Sequence, residues 1–423
     1  MTTELIEARA ESKPSFPSFP PTPFSFFPRV ASAVPCWNGE TYRNMLRCLI
    51  SGSVVDGADL DRLGAGIAAT LGVESVLLCG SGSLALELAL RACAVGPGDE
   101  VVVPAFCCAA IVEPVLSVGA IPVLADAGDE LNVTPETVAA ALTRKTRAIV
   151  VPHLFGNPAD IEAIVGLARG RNIRVIDDAA QALGATIDGR AVGSFGEAGI
   201  LSFGREKVLF GLGGGALISR EADRLANWSA GQLERPRLLP TLEKLATTVF
   251  AHRGRRWTLP LQRALAFPIV DDPTAPGSPY RRERIASLNA AVANSLLGSL
   301  DKNLSARRAR ARAYGDLLRS AAGVELIAHR RGSACLAQVA RILPRRGRDL
   351  AAETVAALAR AGYEIHGSYV PIHLLGNYPQ CVWDGLPHAE RVWADLIELP
   401  CEPGVSLKDV ERIAAIVKKL ISG

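Results

Sequence analysis

A chain of 423 residues is too long for one ordinary core, so two packed domains are expected. A composition of 49% hydrophobic and 21% charged residues is that of a soluble globular protein, and a net charge of +3 offers no polyanion surface, which argues against nucleic acid as a partner. The nine cysteines are scattered, with no C-x-x-C and no Cys/His cluster. No metal site is therefore expected, and a reducing compartment, the cytoplasm, fits this usage.

In chain order, residues 1–34 form a Pro-rich arm, with six prolines between Pro14 and Pro28. Proline at that density forbids regular helix or central strand, so the arm is either disordered and surface-draped or packed on a partner subunit. It lacks the basic start and continuous apolar core of a secretory signal. No apolar run reaches the roughly 18 residues of a membrane span. TYRNMLRCLISG and DLDRLGAGIAATLG read as helices ending at glycine. From VESVLLCGSGSLALELALRAC onward, strands alternate with helices: DEVVVPAF, AIPVLADA, RAIVVPHLFG and IRVIDDA are strands. The intervening helices are about 109–118, TPETVAAALTRKT with its threonine cap, and ADIEAIVGLARGRN. Strands apolar on both faces indicate a mainly parallel sheet covered on both sides. In such sheets the ligand lies beyond the carboxyl ends of the strands. Gly80–Ser83, Pro104-Ala105-Phe106, His153 and Asp177-Asp178 all fall at such ends.

GILSF and GALIS are two more short strands. Residues 221–283 are an enlarged, Pro-interrupted and basic insertion within a large domain of 35–283. It is either a plain surface insertion or a roof over the site. Residues 284–423 are assigned to a smaller C-terminal α/β domain, with CLAQVARILP as strand and DLAAETVAALARAG and VSLKDVERIAAIVKKL as helices.

One lysine has a chemical context. Of eight lysines, Lys207 lies between two apolar strands and beside Gly211, Gly213, Gly214 and Gly215. Elsewhere a lone loop lysine would be a solvated charge. Partial burial makes an amine nucleophilic. About 30 residues earlier (Lys207 against Asp178) a double acid closes an apolar strand. An acid that can hold a pyridinium and a lysine that can form a Schiff base are what pyridoxal phosphate (PLP) requires. Taken alone, Asp178 could equally cap a helix. Gln181 lies within reach of the same place. The Gly80-Ser81-Gly82-Ser83 turn offers backbone donors and hydroxyls to a phosphate, and Ser202 offers another hydroxyl.

Together these residues resemble the DegT/DnrJ/EryC1/StrS family of fold-type I PLP enzymes, the sugar aminotransferases. The resemblance runs from about Pro35 to the C-terminus. It is carried by SGSLALELALRACAVGPGDEVVVPAF, GAIPVLADA, VVPHLFGNPADIEAI, VIDDAAQALGA, SFGREKVLFGLGGGALIS and LPHAERVWADLIELPCEP. It implies the fold-type I architecture, a mainly parallel large-domain sheet with a smaller C-terminal α/β domain. It also implies Lys207 as the Schiff-base and proton-shuttling residue and Asp178 as the pyridine-nitrogen acid. Gln181 falls near the ring oxygen, and Gly82, Ser83 and Ser202 fall at the phosphate. A homodimer with shared sites is implied, moving an amino group from glutamate or glutamine to a keto sugar, probably nucleotide-linked, for glycan or secondary-metabolite synthesis.

Three positions depart from the family. The aromatic residue that stacks on the cofactor ring is replaced by Cys108, so either Cys108 covers the ring or Phe106 does so in a shifted register. The asparagine that reaches the partner's phosphate is replaced by Arg282, which can still bind phosphate. The 221–283 segment is longer than usual. His373, in SYVPIHLLGNY, is either a packed histidine or a substrate contact. Two other readings stand beside aminotransfer. One is a sugar dehydratase or an enzyme acting on a non-sugar ketone; the dehydratases carry histidine where Lys207 stands. The other is a non-catalytic regulatory or scaffold protein.

Overall fold

The computed structural model describes residues 30, 35–220, 232–253, 280–345 and 347–422. Apart from Val30 and residues 232–253 and 280–283, the N-terminal arm and the 221–283 insertion lie outside the described residues.

Seven strands build the main sheet: β1 (Ser75–Cys79), β2 (Glu100–Pro104), β3 (Ile121–Ala125), β4 (Thr146–Pro152), β5 (Arg174–Asp178), β8 (Ala198–Ser202) and β9 (Gly215–Ser219). Between β5 and β8 a two-stranded ribbon is formed by β6 (Thr186–Ile187) and β7 (Arg190–Ala191). The order across the main sheet is β1-β9-β8-β5-β4-β2-β3. Neighbours from β8 to β3 pair in parallel, whereas β9 runs antiparallel to both β1 and β8. The sheet is thus mainly parallel, as its apolar runs require, since helices cover both faces.

Local chemistry sets the helices. Thr134 caps Pro135–Ala141 through a reciprocal capping box with Thr137, and Ser81 Oγ accepts from the Leu84 N–H at the start of Gly82–Ala92. The helix expected over 109–118 is a 3-10 turn, Ala109–Ile111, followed by a short α-helix, Val112–Ser117. Pro114 has no N–H to give, so it sits in the first turn, where none is needed.

Two large apolar clusters flank the sheet. Ser287–Leu297 packs on Gly39–Ile50 and Asp59–Leu71, and its Leu288 and Val292 are fully buried in the first cluster. The next helix, Leu300–Leu318, gives Leu300 and Leu304 to that core and Tyr314 and Leu318 to a third one. This third core lies on an antiparallel sheet of β10 (Val324–Leu326), β11 (Ala337–Ile342) and β12 (Leu396–Pro400), with Leu350–Arg360 and Leu407–Ser422 packed against it. The strand β12 is absent from the strands expected above: LIELP is short, carries an acid at its centre and ends in proline.

The C-terminal part reaches the main sheet near its strand ends. Ile372 N–H donates to the carbonyl of Ala105, one residue beyond β2. No described helix is long and apolar enough to cross a membrane.

Candidate active site

β1, β2, β4, β5 and β8 all end at one edge of the main sheet. That edge carries Gly80–Ser83, Phe106, His153 and Asp178, the strand-end positions expected above, and Ser202 besides.

The double acid at the end of β5 divides by strand alternation. Asp177 is fully buried. Its Oδ1 accepts from His153 Nε2 at 2.7 Å and its Oδ2 from the Phe195 N–H at 2.8 Å. His153 Nδ1 accepts from the Ala159 N–H at 2.9 Å, which places the ring proton on Nε2. Both ring nitrogens are used, so His153 and Asp177 form a closed structural pair. Among the described residues the Asp178 carboxylate takes one hydrogen bond, from the Ala180 N–H at 2.9 Å. Burial raises its pKa, opposed by that bond and by the positive charge of Lys207. A carboxylate so placed has acceptor capacity left for a cationic ring nitrogen.

Lys207 lies in the loop joining β8 to β9, which returns through Gly213 and Gly214 at φ +93° and +119°. A Cβ on Gly214 would also lie 2.4 Å from Ile285, so only glycine fits. Among the described residues no hydrogen bond or ion pair holds Lys207 Nζ. The side chain borders a small cavity shared with Cys36, Glu206, Arg307 and Glu402.

The start of Gly82–Ala92 faces the end of β8. A Cβ on Gly82 would meet Ser202 Cβ at 2.9 Å and Oγ at 3.1 Å. The bare backbone therefore leaves a cradle that combines a helix N-terminus with the Ser202 hydroxyl, as a phosphate needs. Ser83 lies in the first turn of the same helix.

Gln181 is held on both sides. Its Oε1 accepts from the Phe155 N–H at 2.9 Å, and its Nε2 donates to Tyr369 Oη at 3.0 Å. The second Nε2 hydrogen remains for a ring oxygen. Tyr369 stacks on Phe155 at 5.9 Å and meets Phe106 edge-on at 6.0 Å. Phe106 is wholly buried in that aromatic cluster, whereas Cys108 keeps some exposure. Arg282 pairs with Glu87 at 3.2 Å, and Glu87 also takes Arg91 at 2.7 Å and Tyr280 Oη at 2.8 Å. His373 Nε2 lies 3.1 Å from Glu390, its ring packs on Trp383 at 5.4 Å, and burial lowers its pKa.

Sequence reasoning missed Tyr369, Arg307, Glu398 and Glu402. Tyr369 lies in the quoted SYVPIHLLGNY stretch, and its aromatic side chain was a usable signal. Nothing local marks the two glutamates. Burial pushes the Glu398 carboxyl up to about 8, and Ser368 Oγ donates to it at 3.0 Å. Burial also raises Glu402, and one of its carboxylate oxygens has no hydrogen-bond partner.

The model of the DegT/DnrJ/EryC1/StrS aminotransferase family matches residues 35–418. The UDP-N-acetyl-3-dehydro-alpha-D-glucosamine 3-aminotransferase of Acidithiobacillus ferrooxidans is 47% identical over 163 residues, 38% of this chain. That match spans 44% of the relative, less than half its length. The GDP-perosamine synthase of Caulobacter vibrioides is 29% identical over 407 residues, 94% of this chain and 100% of that protein. The crystal structure of a DegT DnrJ EryC1 StrS aminotransferase from Brucella abortus superposes with a TM-score of 0.72 at 26% identity, covering 91% of this chain and 96% of that one.

Proposed function

Because the chain belongs to the DegT/DnrJ/EryC1/StrS aminotransferase family, whose enzymes depend on PLP, we propose that it transfers an amino group from glutamate or glutamine to a keto sugar carried on a nucleotide. One observation carries this reading. A lysine that no described residue holds by a hydrogen bond or ion pair, a strand-end acid with spare acceptor capacity and a glycine–serine cradle lie along one sheet edge.

The residues present fit PLP. Bound there, the cofactor would supply an electron sink for moving the amino group between two carbonyl carbons. Asp178 would keep the ring nitrogen protonated, and Gln181 would donate to the ring oxygen. Gly82, Ser83 and Ser202 would hold the phosphate. Lys207 would anchor the cofactor and, once released, carry a proton to and from the reacting carbon. Cys108 would face the ring, because Phe106 is enclosed by Phe155 and Tyr369. Arg282 would reach the phosphate of a second subunit, exchanging Glu87 for it. With that role the working unit would be a homodimer with shared sites, and the reading places it in the cytoplasm in glycan or secondary-metabolite synthesis.

The test is spectroscopic first. Protein saturated with PLP should show a visible absorbance band that Lys207→Ala abolishes. Glutamate or glutamine should bleach it, and a nucleotide-linked keto sugar should restore it. No band in the unaltered protein rules out the enzyme reading; restoration by non-sugar ketones alone rules out the sugar.

A further inference from the structure

The loop that carries Lys207 is pinned at the residue after the lysine. Val208 and Leu209 are buried, and the Val208 carbonyl accepts from Asn303 Nδ2 at 3.2 Å. Asn303 belongs to the helix Leu300–Leu318, and Arg307 lies one turn further along it. Arg307 Nε donates to Asn303 Oδ1 at 2.8 Å, and its Nη1 donates at 2.9 Å to the carbonyl of Leu336, just ahead of β11. Both side chains are enclosed, Asn303 at 7% exposure and Arg307 at 2%. Arg307 also borders the cavity that Lys207 and Glu402 border. On the other side of the lysine the backbone is strained. Glu206 has φ +63°, a left-handed conformation that a non-glycine residue keeps only where its surroundings impose it.

An asparagine amide has two ends of opposite polarity, and the guanidinium decides which way this one faces. Arginine can only donate, so Oδ1 turns to Arg307 and Nδ2 is left for the Val208 carbonyl. Were the amide reversed, two donors would meet at Arg307 and two oxygens at Val208. We propose that Asn303, oriented by Arg307, is a positioning residue for Lys207: the pair fixes the loop backbone from which the lysine reaches the reacting carbon. The inference rests on Lys207 being the cofactor lysine. Under that reading Lys207 is first an anchor and then, once released, a proton carrier. Its side chain is long and flexible, so a fixed backbone is what returns Nζ to one place. Proton transfer needs such placement, and a misplacement of about 1 Å costs on the order of 10²-fold in rate. The bonds from Leu336 through Arg307 and Asn303 to Val208 tie that backbone to the C-terminal sheet.

Asn303→Asp tests the pair with the least disturbance. The shape is kept, the Arg307 bond becomes an ion pair, and only the donor to Val208 is lost. In the full-length PLP-loaded protein, kcat should fall about tenfold while KM for the amino donor stays unchanged. When PLP is added to cofactor-free protein, the visible band should form more slowly by a similar factor. Arg307→Gln and Arg307→Met separate orientation from charge. Both remove the guanidinium, but glutamine can place an N–H where Arg307 Nε stands, and methionine cannot. Arg307→Gln should keep kcat within about threefold, and Arg307→Met should lose about tenfold. Unchanged kcat and band formation in Asn303→Asp overturn the proposal, as do equal losses in the two folded Arg307 variants. If an Arg307 variant fails to fold, Asn303→Asp decides alone. Hydrogen exchange of the peptide 205–212 is read on cofactor-free protein, so it stands apart from the cofactor reading, which absence of any PLP band would remove. Faster exchange there in Asn303→Asp upholds the hold on the loop, and unchanged exchange overturns it.

Discussion

Asp178 and Glu398 are partly buried acids on strands of different sheets; desolvation raises the pKa of both, and the charge of Lys207 lowers it. Their surroundings differ. Asp178 ends a parallel strand, where the backbone supplies one donor and opens toward the cleft. Glu398 lies inside an antiparallel strand, tethered by a serine and crowded by two other glutamates. The strand end leaves a carboxylate ready to meet a cation from a ligand. The strand interior yields a carboxyl that burial disposes to keep its proton. Position in the sheet, more than residue type, divides the two roles.

The sharpest way to break this contrast is Asp178→Asn. The amide oxygen can still accept from the Ala180 N–H, so the fold should hold and the unfolding midpoint should not fall. The negative charge opposite the ring nitrogen is gone, and transamination should slow on the order of 10²- to 10³-fold, as when a preorganised electrostatic group is removed. Glu398→Gln should slow the reaction less. If the two variants lose rate equally, the division of roles is wrong.

Linkage tests the second acid. The folded-state pKa of Glu398 is raised from 4.5 to about 8. The unfolded chain therefore loses this proton first as the pH rises. The stabilising contribution is complete below about pH 4.5 and is lost as the pH climbs through about 8. Across that window the loss should amount to a few kcal/mol. Denaturant midpoints of the unaltered chain should fall from pH 5 to 8, and Glu398→Gln should flatten the slope. An unchanged slope would mean that Glu398 is ionised throughout.

Adjacent acids sharpen the point further. Asp177→Asn can accept only one of the two bonds from His153 and the Phe195 N–H. It would leave a buried donor unpaired, so it should cost about 1 to 3 kcal/mol of stability. Its band with PLP should persist. Asp177→Asn is thus a folding variant and Asp178→Asn a rate variant, distinguishable by thermal unfolding and single-turnover kinetics on the same preparations.

The strand-end site was legible because the βα rhythm fixes where each strand stops. A motif at a strand end is then automatically near the others. The spacing from Asp178 to Gln181 favours the second acid of the pair, and the structure adds a difference in the same direction: alternation sends Asp177 to His153. Glu398 was not legible. LIELP alternates as a half-exposed strand would, and what encloses its glutamate arrives from elsewhere in the chain, with the 366–368 segment. Tertiary contact between two units leaves no local period. The choice between Cys108 and Phe106 was equally closed to sequence, because it turns on Phe155 and Tyr369, far apart in the chain.

The smallest expected effect tests the cradle itself. Alanine normally suits the first turn of a helix better than glycine, so Gly82→Ala would stabilise an isolated helix. Here its Cβ would come within 2.9 Å of Ser202 Cβ, and neither the end of β8 nor the helix start can move without disturbing the other. Overpacking of this kind costs about 1 to 3 kcal/mol, which should offset the propensity gain and leave the unfolding midpoint slightly lower. The same methyl would crowd the space between the helix N-terminus and the serine hydroxyl. Affinity for PLP should fall about tenfold, or 1.4 kcal/mol. Equilibrium titration with PLP measures it. An unchanged affinity, in a variant that is measurably strained, would place the phosphate away from Ser202 and remove the glycine from the site.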